Sequence, residues 1–410
     1  MRIGIIGGGA AGLFTACQLK RMGIGKDIDV TVIEKNSAPG KKLLLTGHGR
    51  CNITNLKDAA DLKKGYHEAD NFLYPALKEF GPSDTVNFFE KEIGLKLKEE
   101  DNNRMFPVTD SAASVRDALV SYISDSVNIL CDTRVLDIRK CSGFEVDTSK
   151  GEFSFDLIVL SCGGSSFKKT GSEGDSYKFA EKLGHTIVPV RAALAAVRAD
   201  SRSVKFTSAL SGVSVFVKAS VFSGGRSAVS YKGEVLFADF GLTGPAAMEI
   251  SREIPADGNA YIELDLIPDM TDERLDQELQ NLIRDHADTK ITTLVSRFIP
   301  ASAAGAVAER IGVAGLYAQG FTKDSRRKLC HELKHLVIDL AGAPDIDKAY
   351  VTRGGVSLKE IDRKTMQSKK VSGLYVIGEA LDVDGISGGY NLQACMSEAY
   401  LASKAIWGIQ

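Results

Sequence analysis

The sequence predicts an α/β fold in which a parallel sheet is interrupted by an insertion. Three observations lead to this prediction: a strand, a glycine-rich turn, a helix and a second strand come first, a β-rich stretch occupies the middle, and a buried strand followed by a helix comes near the end. The chain has 410 residues. Since a single hydrophobic core stops growing near ~250–300 residues, we expect two domains or more.

The first segment begins with a β–α–β unit. Residues 2–6 are predicted to be a short buried strand, residues 10–22 a helix that ends at Gly23, and residues 29–34 a second strand rich in β-branched residues. Such a unit pairs its strands in parallel. Further along, the apolar periodicity predicts helices over 83–98 and 111–125, the latter with Ser111 as N-cap, and strands over 129–139, 143–147 and 156–161.

The character of the sequence changes after about residue 190. Residues 195–265 contain short alternating segments, such as 213–217, separated by Gly-Gly and Ser, which predicts an antiparallel sheet or a small barrel. Residues 272–340 are predicted to be helices with short breaks. The first pattern then returns, with a buried strand expected over 373–377 and a helix over 390–406. We therefore interpret the middle of the chain as an insertion.

The composition is that of a soluble globular protein, with 44% apolar and 25% charged residues. The formal net charge of −2 gives no overall attraction to nucleic acids or anionic membranes. The sequence has no run of about 18 apolar residues and no signal-peptide pattern, so we expect a cytoplasmic protein. The seven cysteines, an odd number without a C-x-x-C pair, favour a reducing compartment over a disulfide framework.

The run Gly7-Gly8-Gly9-Ala10-Ala11-Gly12 fits the dinucleotide-binding pattern G-x-G-x-x-G. In that pattern the first glycine permits a tight turn, the second lets the backbone approach a pyrophosphate, and the third lets the helix lie close to the strand. Glu34 ends the second strand, where a carboxylate accepts hydrogen bonds from ribose hydroxyls. These features predict a Rossmann-like dinucleotide site, but the motif alone does not distinguish FAD from NAD.

Three further segments make that distinction. They are residues 39–52 (Pro-Gly-Lys-Lys-Leu-Leu-Leu-Thr-Gly-His-Gly-Arg-Cys-Asn), residues 161–175 and residues 373–392. The chain resembles the HI0933-like, or BaiN-like, FAD-dependent oxidoreductases of the glutathione-reductase-like FAD superfamily. The resemblance runs nearly end to end and includes residues 236–245 and 351–368.

The resemblance implies a Rossmann-like FAD-binding domain with a parallel sheet of the GR2 type. In this family the domain is interrupted by an inserted β-barrel-like domain and a small helical domain. The expected boundaries are 1–190 for the first part of the FAD-binding domain, 191–270 for the β-rich substrate domain, 271–345 for the helical part of the insertion and 346–410 for the return segment.

The resemblance also implies which residues bind FAD. Glu34 and Lys35 would lie at the adenosine ribose, Val135 would meet the adenine through its backbone, and Glu379 would hold the pyrophosphate–ribityl region. The turn that opens the last helix would face the isoalloxazine, where a helix N-terminus stabilises negative charge on the reduced flavin. The full expected set is Gly7, Gly9, Ala10, Ala11, Gly12, Glu34, Lys35, Lys42, Thr46, Gly47, Arg50, Cys51, Asn52, Val135, Cys162, Gly163, Gly164, Gly378, Glu379, Gly389, Tyr390, Asn391 and Leu392.

The chain departs from the family pattern at two places. The family usually has Gly where this chain has His48, and Ala-Thr where it has Ser161-Cys162. His48 either lies near the flavin and alters its proton supply or is a tolerated loop substitution. Cys51 lacks the second cysteine of a disulfide reductase, so we interpret it as a packed residue near the flavin rather than a nucleophile.

One metal-binding pattern is also present. Residues 331–335 read His-Glu-Leu-Lys-His and fit H-E-x-x-H, in which two histidines on one helix face can bind zinc. Catalysis would need a third ligand, and the family resemblance accounts for the segment without metal. We therefore predict no metal site. A second G-x-G-x-x-G unit is absent from the sequence, so NAD(P)H is expected only as a transient co-substrate.

The predicted function is an FAD-dependent oxidoreductase that passes hydride from NAD(P)H through flavin N5 to an electron-poor C=C acceptor. Tyr390, Arg353, Cys51 and His48 are candidates for the proton donor, by expected proximity alone. Three alternatives remain open: a dihydrouridine-forming enzyme that acts on structured ribosomal RNA, an amine-type flavin oxidase that uses oxygen, and a redox sensor. Only the resemblance supports RNA, although basic residues do cluster at 326–328 and 363–370.

Overall fold

The computed structural model of this chain describes residues 1–23 and 28–409. These residues form two compact units. Unit 1 comprises Met1–Arg191 together with the return segment from Val351 onward, and unit 2 comprises Ala192–Tyr350. The division of labour expected from the sequence, with one part binding FAD and an inserted part binding substrate, stays a prediction.

The first part of unit 1 alternates between strands and helices. Its strands are β1 (Arg2–Ile6), β2 (Asp29–Ile33), β3 (Thr54–Asn55), β4 (Leu97–Glu100), β5 (Arg104–Pro107), β6 (Asn128–Leu130), β7 (Val135–Lys140), β8 (Phe144–Thr148), β9 (Gly151–Phe155) and β10 (Leu157–Leu160), and β11 (Ile187–Ala193) begins in this part and ends two residues into unit 2. Its α-helices are α1 (Ala10–Arg21), α2 (Ala59–Leu62), α3 (Asp70–Glu79), α4 (Pro82–Asn87), α5 (Ala112–Ile123) and α6 (Asp175–Lys182).

Unit 2 begins with strands and ends mainly in helices. Its strands are β12 (Val197–Arg198), β13 (Ser214–Ser223), β14 (Arg226–Ala238), β15 (Gly241–Thr243), β16 (Tyr261–Asp265) and β17 (Leu336–Asp339). Its helices are α7 (Val204–Ala209), α8 (Gly244–Ser251), α9 (Asp272–Asp285), α10 (Ile291–Val295), α11 (Ala301–Arg310) and α12 (Lys323–Lys334). The return segment of unit 1 adds β18 (Val351–Val356), β19 (Leu374–Val376) and α13 (Tyr390–Trp407).

A five-stranded parallel sheet forms the centre of unit 1. Its strand order is β19-β10-β1-β2-β6, and every neighbouring pair is parallel. All four residues of β10 and the last four of β1 are buried, because a parallel sheet is covered on both faces and its strands are apolar throughout. The predicted β–α–β unit and the parallel α/β fold are thus confirmed.

Helix α13 covers the sheet beside α1. Ser403 of α13 donates its hydroxyl to the backbone oxygen of Thr15 in α1, at 3.3 Å. The Phe14 ring of α1 lies edge-on to Phe80 and Phe88, with ring centroids 5.5 and 5.0 Å away. The first and last segments of the chain therefore share one hydrophobic core.

Two predicted elements of unit 1 are wrong in part. The predicted helix over 83–98 ends early: α4 continues as a π-helical turn over Phe88–Ile93, Gly94 takes a left-handed conformation, and β4 begins at Leu97. The predicted strand over 129–139 is two strands. Its first part, β6, pairs with β2 in the parallel sheet, whereas β7 pairs with β8 in a separate antiparallel sheet.

Ser111 occupies the predicted N-cap position of α5, but its side chain does not cap the helix. Its backbone oxygen instead accepts hydrogen bonds from the backbone N–H and the hydroxyl of Ser114, at 3.1 and 2.7 Å. The boundary was therefore predictable, but the expected capping interaction is replaced by a backbone turn.

Unit 2 contains an antiparallel sheet with the strand order β12-β15-β14-β13-β16-β17. The alternating pattern of residues 195–265 predicted antiparallel pairing, and the long pair of β13 and β14 has it. The predicted helical region 272–340 is wrong at its end, because residues 336–339 form β17 and extend the sheet. In the described residues of both units, no helix is long and apolar enough to cross a bilayer.

Candidate functional site

The glycine-rich turn between β1 and α1 leaves open space before the helix. A Cβ atom added to Gly7 would lie 2.6 Å from the Ser161 backbone oxygen, and one added to Gly12 would lie 2.0 Å from the Gly7 oxygen. A Cβ added to Gly9 would meet no atom within 4 Å. Gly7 and Gly12 thus permit close packing, whereas Gly9 keeps the N-terminus of α1 accessible. The free N–H groups there carry partial positive charge and suit a pyrophosphate.

Glu34 follows β2 directly and is buried beside this turn. Its Oε2 accepts a hydrogen bond from the backbone N–H of Gly8 at 2.9 Å, and its Oε1 accepts from the backbone and side-chain nitrogens of Asn36 at 2.8 and 2.7 Å. The carboxylate therefore lies at the glycine turn, as the fingerprint requires. Its hydrogen bonds with Gly8 and Asn36 hold it in this position without a bound ribose.

Lys35 points into an acidic cluster. Its Nζ lies 2.9 Å from Glu173 Oε2 and 2.5 Å from Asp175 Oδ2, and Arg134 also pairs with Glu173. Val135, the first residue of β7, follows Arg134 directly and is half-buried. The residues expected at the adenosine end thus lie next to an ion-pair cluster. The two acidic members were not predicted as site residues, although both belong to the segment 161–175.

Glu379 is the centre of a second polar cluster, in the turn after β19. Its Oε2 lies 2.6 Å from Lys42 Nζ, which also donates to Ser166 Oγ at 2.7 Å. Its Oε1 accepts from the backbone N–H of Thr352 at 3.2 Å. Tyr177 donates its hydroxyl to the Glu379 backbone oxygen at 3.0 Å. Ser166, Thr352 and Tyr177 were not predicted as site residues. The one signal that could have found them is their position in or next to segments that resemble the family.

The turns around Glu379 approach one another closely. A Cβ on Gly163 would lie 4.0 Å from Glu379 Oε2, and one on Gly164 would lie 2.4 Å from Thr352 Oγ1. A Cβ on Gly378 would lie 3.0 Å from the Ala11 methyl. Cys162 donates its thiol to the Ile6 backbone oxygen at 3.2 Å. The structure therefore brings the first, second and third matching segments together beside the N-terminus of α1.

The start of α13 meets the loop 39–52. Gly389 is the N-cap of α13 with φ +97°, and a Cβ there would lie 2.5 Å from the Thr54 backbone. In the amide orientation that satisfies its neighbours, Asn52 accepts from the Gly389 N–H at 3.1 Å and donates to Thr54 O. Asn391 accepts from the Gly385 N–H and donates to the Gly385 oxygen, both at 2.9 Å. These contacts fix the turn that was expected to face the isoalloxazine.

Three of the expected residues line one small apolar cavity of about 20 Å³. A space of this size holds about one water molecule, so it is too small to be a cofactor cleft. Its lining combines the start of α1, the loop 39–52 and α13. The lining residues are Ala10, Phe14, Leu43, Cys51, Ile53, Phe89, Val115, Leu119, Leu392 and Met396.

Cys51 is fully buried in this cavity wall, with φ +65°. Burial raises the pKa of its thiol to about 12, while a hydrogen bond with Thr46 lowers it by a smaller amount. The side chain is therefore a neutral thiol at physiological pH and not an activated thiolate. Thr46 itself donates its hydroxyl to Leu43 O at 2.6 Å.

The other candidate proton donors have separate surroundings. The Tyr390 ring packs edge-on against Tyr66 with centroids 5.6 Å apart, and its hydroxyl accepts from Lys57 Nζ at 3.1 Å. Arg353 pairs with Glu68 at 3.2 Å, and His48 is exposed with φ +57°.

Two further residues of the loop 39–52, Arg50 and Gly47, make contacts within the protein itself. Arg50 pairs with Glu100 and with Asp110, the latter at 2.6 Å, and its guanidinium lies 4.3 Å from the Phe106 ring centroid. Its charge is thus already engaged in a surface cluster. Gly47 has φ +55°, and a Cβ there would lie 2.9 Å from the Asn52 backbone nitrogen. A glycine at position 47 therefore lets this part of the loop pack closely against Asn52.

The H-E-x-x-H segment lies in unit 2 and is engaged in ion pairs. Helix α12 ends at Lys334, so His335 lies beyond its last turn. Glu332 pairs with Arg310 at 2.7 Å, and the two ring nitrogens of His335 lie 3.3 Å from Glu263 and 3.2 Å from Asp272. Among the described residues, no three His, Cys, Asp or Glu side chains are arranged to hold a metal ion.

The residues of unit 1 fit a bound FAD on three grounds. The open space at Gly9 accepts a pyrophosphate, the buried Glu34 supplies carboxylate oxygens where a ribose is expected, and Lys42 supplies a cation that is only partly enclosed. These donors and acceptors come from segments far apart in the sequence and meet along one edge of the parallel sheet, at the carboxyl ends of its strands.

The profile of the HI0933-like protein Rossmann domain matches residues 1–405. The chain belongs to this family. It is 31% identical to the 3-dehydro-bile acid delta(4,6)-reductase of Clostridium scindens over 98% of each chain. It is 30% identical to the ribosomal RNA dihydrouridine synthase of Haemophilus influenzae, over 98% of this chain and 97% of the relative. Family and fold together identify this HI0933-like protein as an FAD-dependent oxidoreductase.

A solved structure has the same fold with little sequence identity. The 3-ketosteroid delta1-dehydrogenase from Sterolibacterium denitrificans superposes with a TM-score of 0.53 at 13% identity, covering 100% of this chain and 99% of that one. At such low identity the similarity concerns the fold alone. The two chains therefore share one fold over nearly their whole lengths.

Proposed function

We propose that this HI0933-like protein is a reductase that delivers hydride to a C=C bond conjugated to a carbonyl group. The observation that carries the proposal is the end-to-end similarity, at 31% identity, to a 3-dehydro-bile acid delta(4,6)-reductase. Conjugation makes the bond electron-poor, so its far carbon accepts hydride and the carbon next to the carbonyl accepts a proton. Bound FAD supplies reversible two-electron hydride transfer.

In this proposal the residues of unit 1 bind and orient the cofactor. The N-terminus of α1 binds the pyrophosphate, and Glu34 accepts hydrogen bonds from the adenosine ribose. Lys42 and Glu379 hold the region between the pyrophosphate and the ribityl chain. The N-terminus of α13, fixed by Asn52, directs its partial positive charge at the flavin. The full set of FAD-binding residues expected from the sequence is proposed on the same basis.

The second candidate substrate is uridine in ribosomal RNA. Two relatives named ribosomal RNA dihydrouridine synthase, from Haemophilus influenzae and Escherichia coli, are 30% and 29% identical to this chain. The C5=C6 bond of uracil is also conjugated to a carbonyl group, so both candidates require the same type of reduction. The net charge of −2 gives RNA no general attraction, and we therefore favour a small enone.

We further propose NAD(P)H as the electron donor and the cytoplasm as the location. The sequence has one dinucleotide fingerprint, so a nicotinamide would bind transiently over the flavin and leave before the acceptor enters. Seven free, scattered cysteines suit a reducing compartment. Both points rest on the pattern of the sequence.

The test is anaerobic stopped-flow reduction of the FAD-loaded protein with NADPH and NADH, followed by reoxidation. The acceptors are a 4,6-dien-3-one steroid, its saturated 3-ketone as matched control, a uridine-containing ribosomal RNA fragment, and oxygen. Rapid bleaching by a nicotinamide and rapid reoxidation by the dienone but not by the saturated ketone support the proposal. Reoxidation by RNA alone favours the second candidate, and fast reoxidation by oxygen alone contradicts both.

A further inference from the structure

Glu398 is a fully buried carboxyl group on α13, beneath the turn that carries Glu379. Its Oε2 accepts a hydrogen bond of 2.5 Å from the backbone N–H of Gly378, the residue before Glu379. Its Oε1 is buried and has no hydrogen-bond partner among the described residues. A buried carboxylate with one hydrogen bond is poorly compensated, so the neutral form is favoured.

The groups around Glu398 do not supply a compensating charge. Tyr66 faces it from the turn before α3 and donates its own hydroxyl to Tyr390 O at 2.8 Å. Cys395 faces it from α13 itself, with Glu379 and Lys42 beyond, and α1 presents the Ala11 methyl towards Gly378. Within the described residues, Glu398 forms no ion pair. Burial accordingly raises its pKa to about 8.

We propose that Glu398 is a proton-linked positioning residue of the FAD site, which supports the Gly378–Glu379 turn through the Gly378 N–H and, while it is protonated, places no charge beneath that turn. This inference rests on the proposed binding of FAD at Glu379. Loss of the proton puts a negative charge beneath a turn that already carries Glu379 and would face an anionic pyrophosphate. FAD therefore binds the protonated form more tightly, and by linkage its binding is coupled to proton uptake.

The first experiment titrates deflavinated protein with FAD between pH 6 and pH 9.5 and follows the quenching of flavin fluorescence. If only the protonated form binds, Kd rises about tenfold between pH 7 and pH 9 for the wild type. Glu398→Gln keeps an acceptor for the Gly378 N–H but cannot ionise, so its Kd should not follow this rise. The exposed Glu181→Gln is the matched control and should behave as the wild type. Parallel profiles for wild type and Glu398→Gln would overturn the proposal.

A second measurement needs no variant. Calorimetry of FAD binding to the wild type at pH 8.5, in buffers of different ionisation enthalpy, counts the protons taken up. Uptake of a substantial fraction of one proton supports the role of Glu398, and no uptake contradicts it. The two hypotheses fail differently: if the wild type binds no FAD at any pH, the proposed function falls, whereas pH-independent binding removes only the role of Glu398.

Discussion

Lys42 and Glu379 form an ion pair across 337 positions of the sequence, with Nζ and Oε2 2.6 Å apart. Both side chains are partly enclosed, with 24% and 15% of their surface exposed. The pair joins the loop after β2 to the turn after β19, so it connects the first and last parts of unit 1. A cofactor that binds along this line of contacts depends on both segments.

Replacing Lys42 with methionine should weaken FAD binding. The change removes a cation that would face the pyrophosphate and leaves the half-buried Glu379 unpaired, so FAD binding should weaken by about 1–3 kcal/mol, which corresponds to roughly a 5–150-fold rise in Kd. Fluorescence titration of the deflavinated protein measures it. Lys91→Met, an exposed lysine of the same unit, is the control. Equal FAD affinity in the Lys42 variant and the wild type would show that the ion pair is remote from the cofactor.

Gly9 and Gly12 should respond differently to alanine. A methyl group at Gly9 enters open space, so Gly9→Ala should keep the melting temperature of the apoprotein but lose FAD affinity at least tenfold. A methyl group at Gly12 meets the Gly7 oxygen at 2.0 Å, so Gly12→Ala should also lower the melting temperature. Thermal unfolding with and without FAD separates the two. Unchanged FAD affinity in Gly9→Ala would contradict the proposed pyrophosphate position.

The Cys51 thiol should neither react with alkylating reagents nor take part in flavin reduction. Its thiol is buried and its pKa is raised to about 12, so iodoacetamide at pH 7.5 should leave it unmodified while labelling the exposed Cys141. Cys51→Ala should keep the rate of flavin reduction within about twofold of the wild type and lose roughly 1 kcal/mol of stability, because it enlarges an existing cavity. Peptide mass mapping checks the labelling. A large loss of flavin reduction rate would restore Cys51 as a candidate catalytic residue.

Gln393 should be important for the stability of unit 1. It is fully buried, its Oε1 accepts from Thr54 and Thr85 at 2.5 and 2.9 Å, and its Nε2 donates to Phe80 O and Ser397 Oγ. Gln393→Leu leaves both threonine hydroxyls without this hydrogen-bond acceptor and should lower the free energy of unfolding by roughly 2–4 kcal/mol. Thr85→Val removes one hydrogen bond and should cost only about 1 kcal/mol. Urea unfolding of both variants measures the difference, and equal losses would refute a shared network.

The raised pKa of Glu398 predicts how stability depends on pH. Between its ordinary value of 4.5 and about 8, the folded protein keeps a proton that the unfolded chain has released. The contribution of this group to the free energy of unfolding therefore falls as pH rises through that window and levels off above it. Glu398→Gln should lose this slope. Urea unfolding of the apoprotein from pH 5 to pH 9 compares the two, and identical slopes would contradict a neutral carboxyl group.

The glycine-rich turn could be predicted from the sequence, because its conformation depends on residues that are adjacent in the chain. Gly7, Gly9 and Gly12 lie where the fingerprint requires them, because the turn and the helix are built from adjacent residues. Contacts across the sequence were not predictable in this way: Thr352 and Tyr177 reach Glu379 only through the folded sheet.

The errors in secondary structure have the same origin. Residues 97–100 contain Lys and Glu, which are common in helices, yet they form β4 because β5 pairs with them. Residues 336–339 follow a helix and form β17 because β16 offers an open edge. In both cases a partner strand outside the local window decides the conformation.

The discontinuous build of unit 1 has a consequence for biosynthesis. Strand β19, which pairs with β10, and helix α13, which lies beside α1, are made only after the ribosome has translated all 159 residues from Ala192 to Tyr350. Until then the nascent chain presents β10 as an unpaired apolar edge, which favours aggregation and capture by chaperones. If the return segment contributes to the FAD site as proposed, cofactor loading must wait for it, and ribosomes that stall in unit 2 would release fragments that cannot retain the flavin.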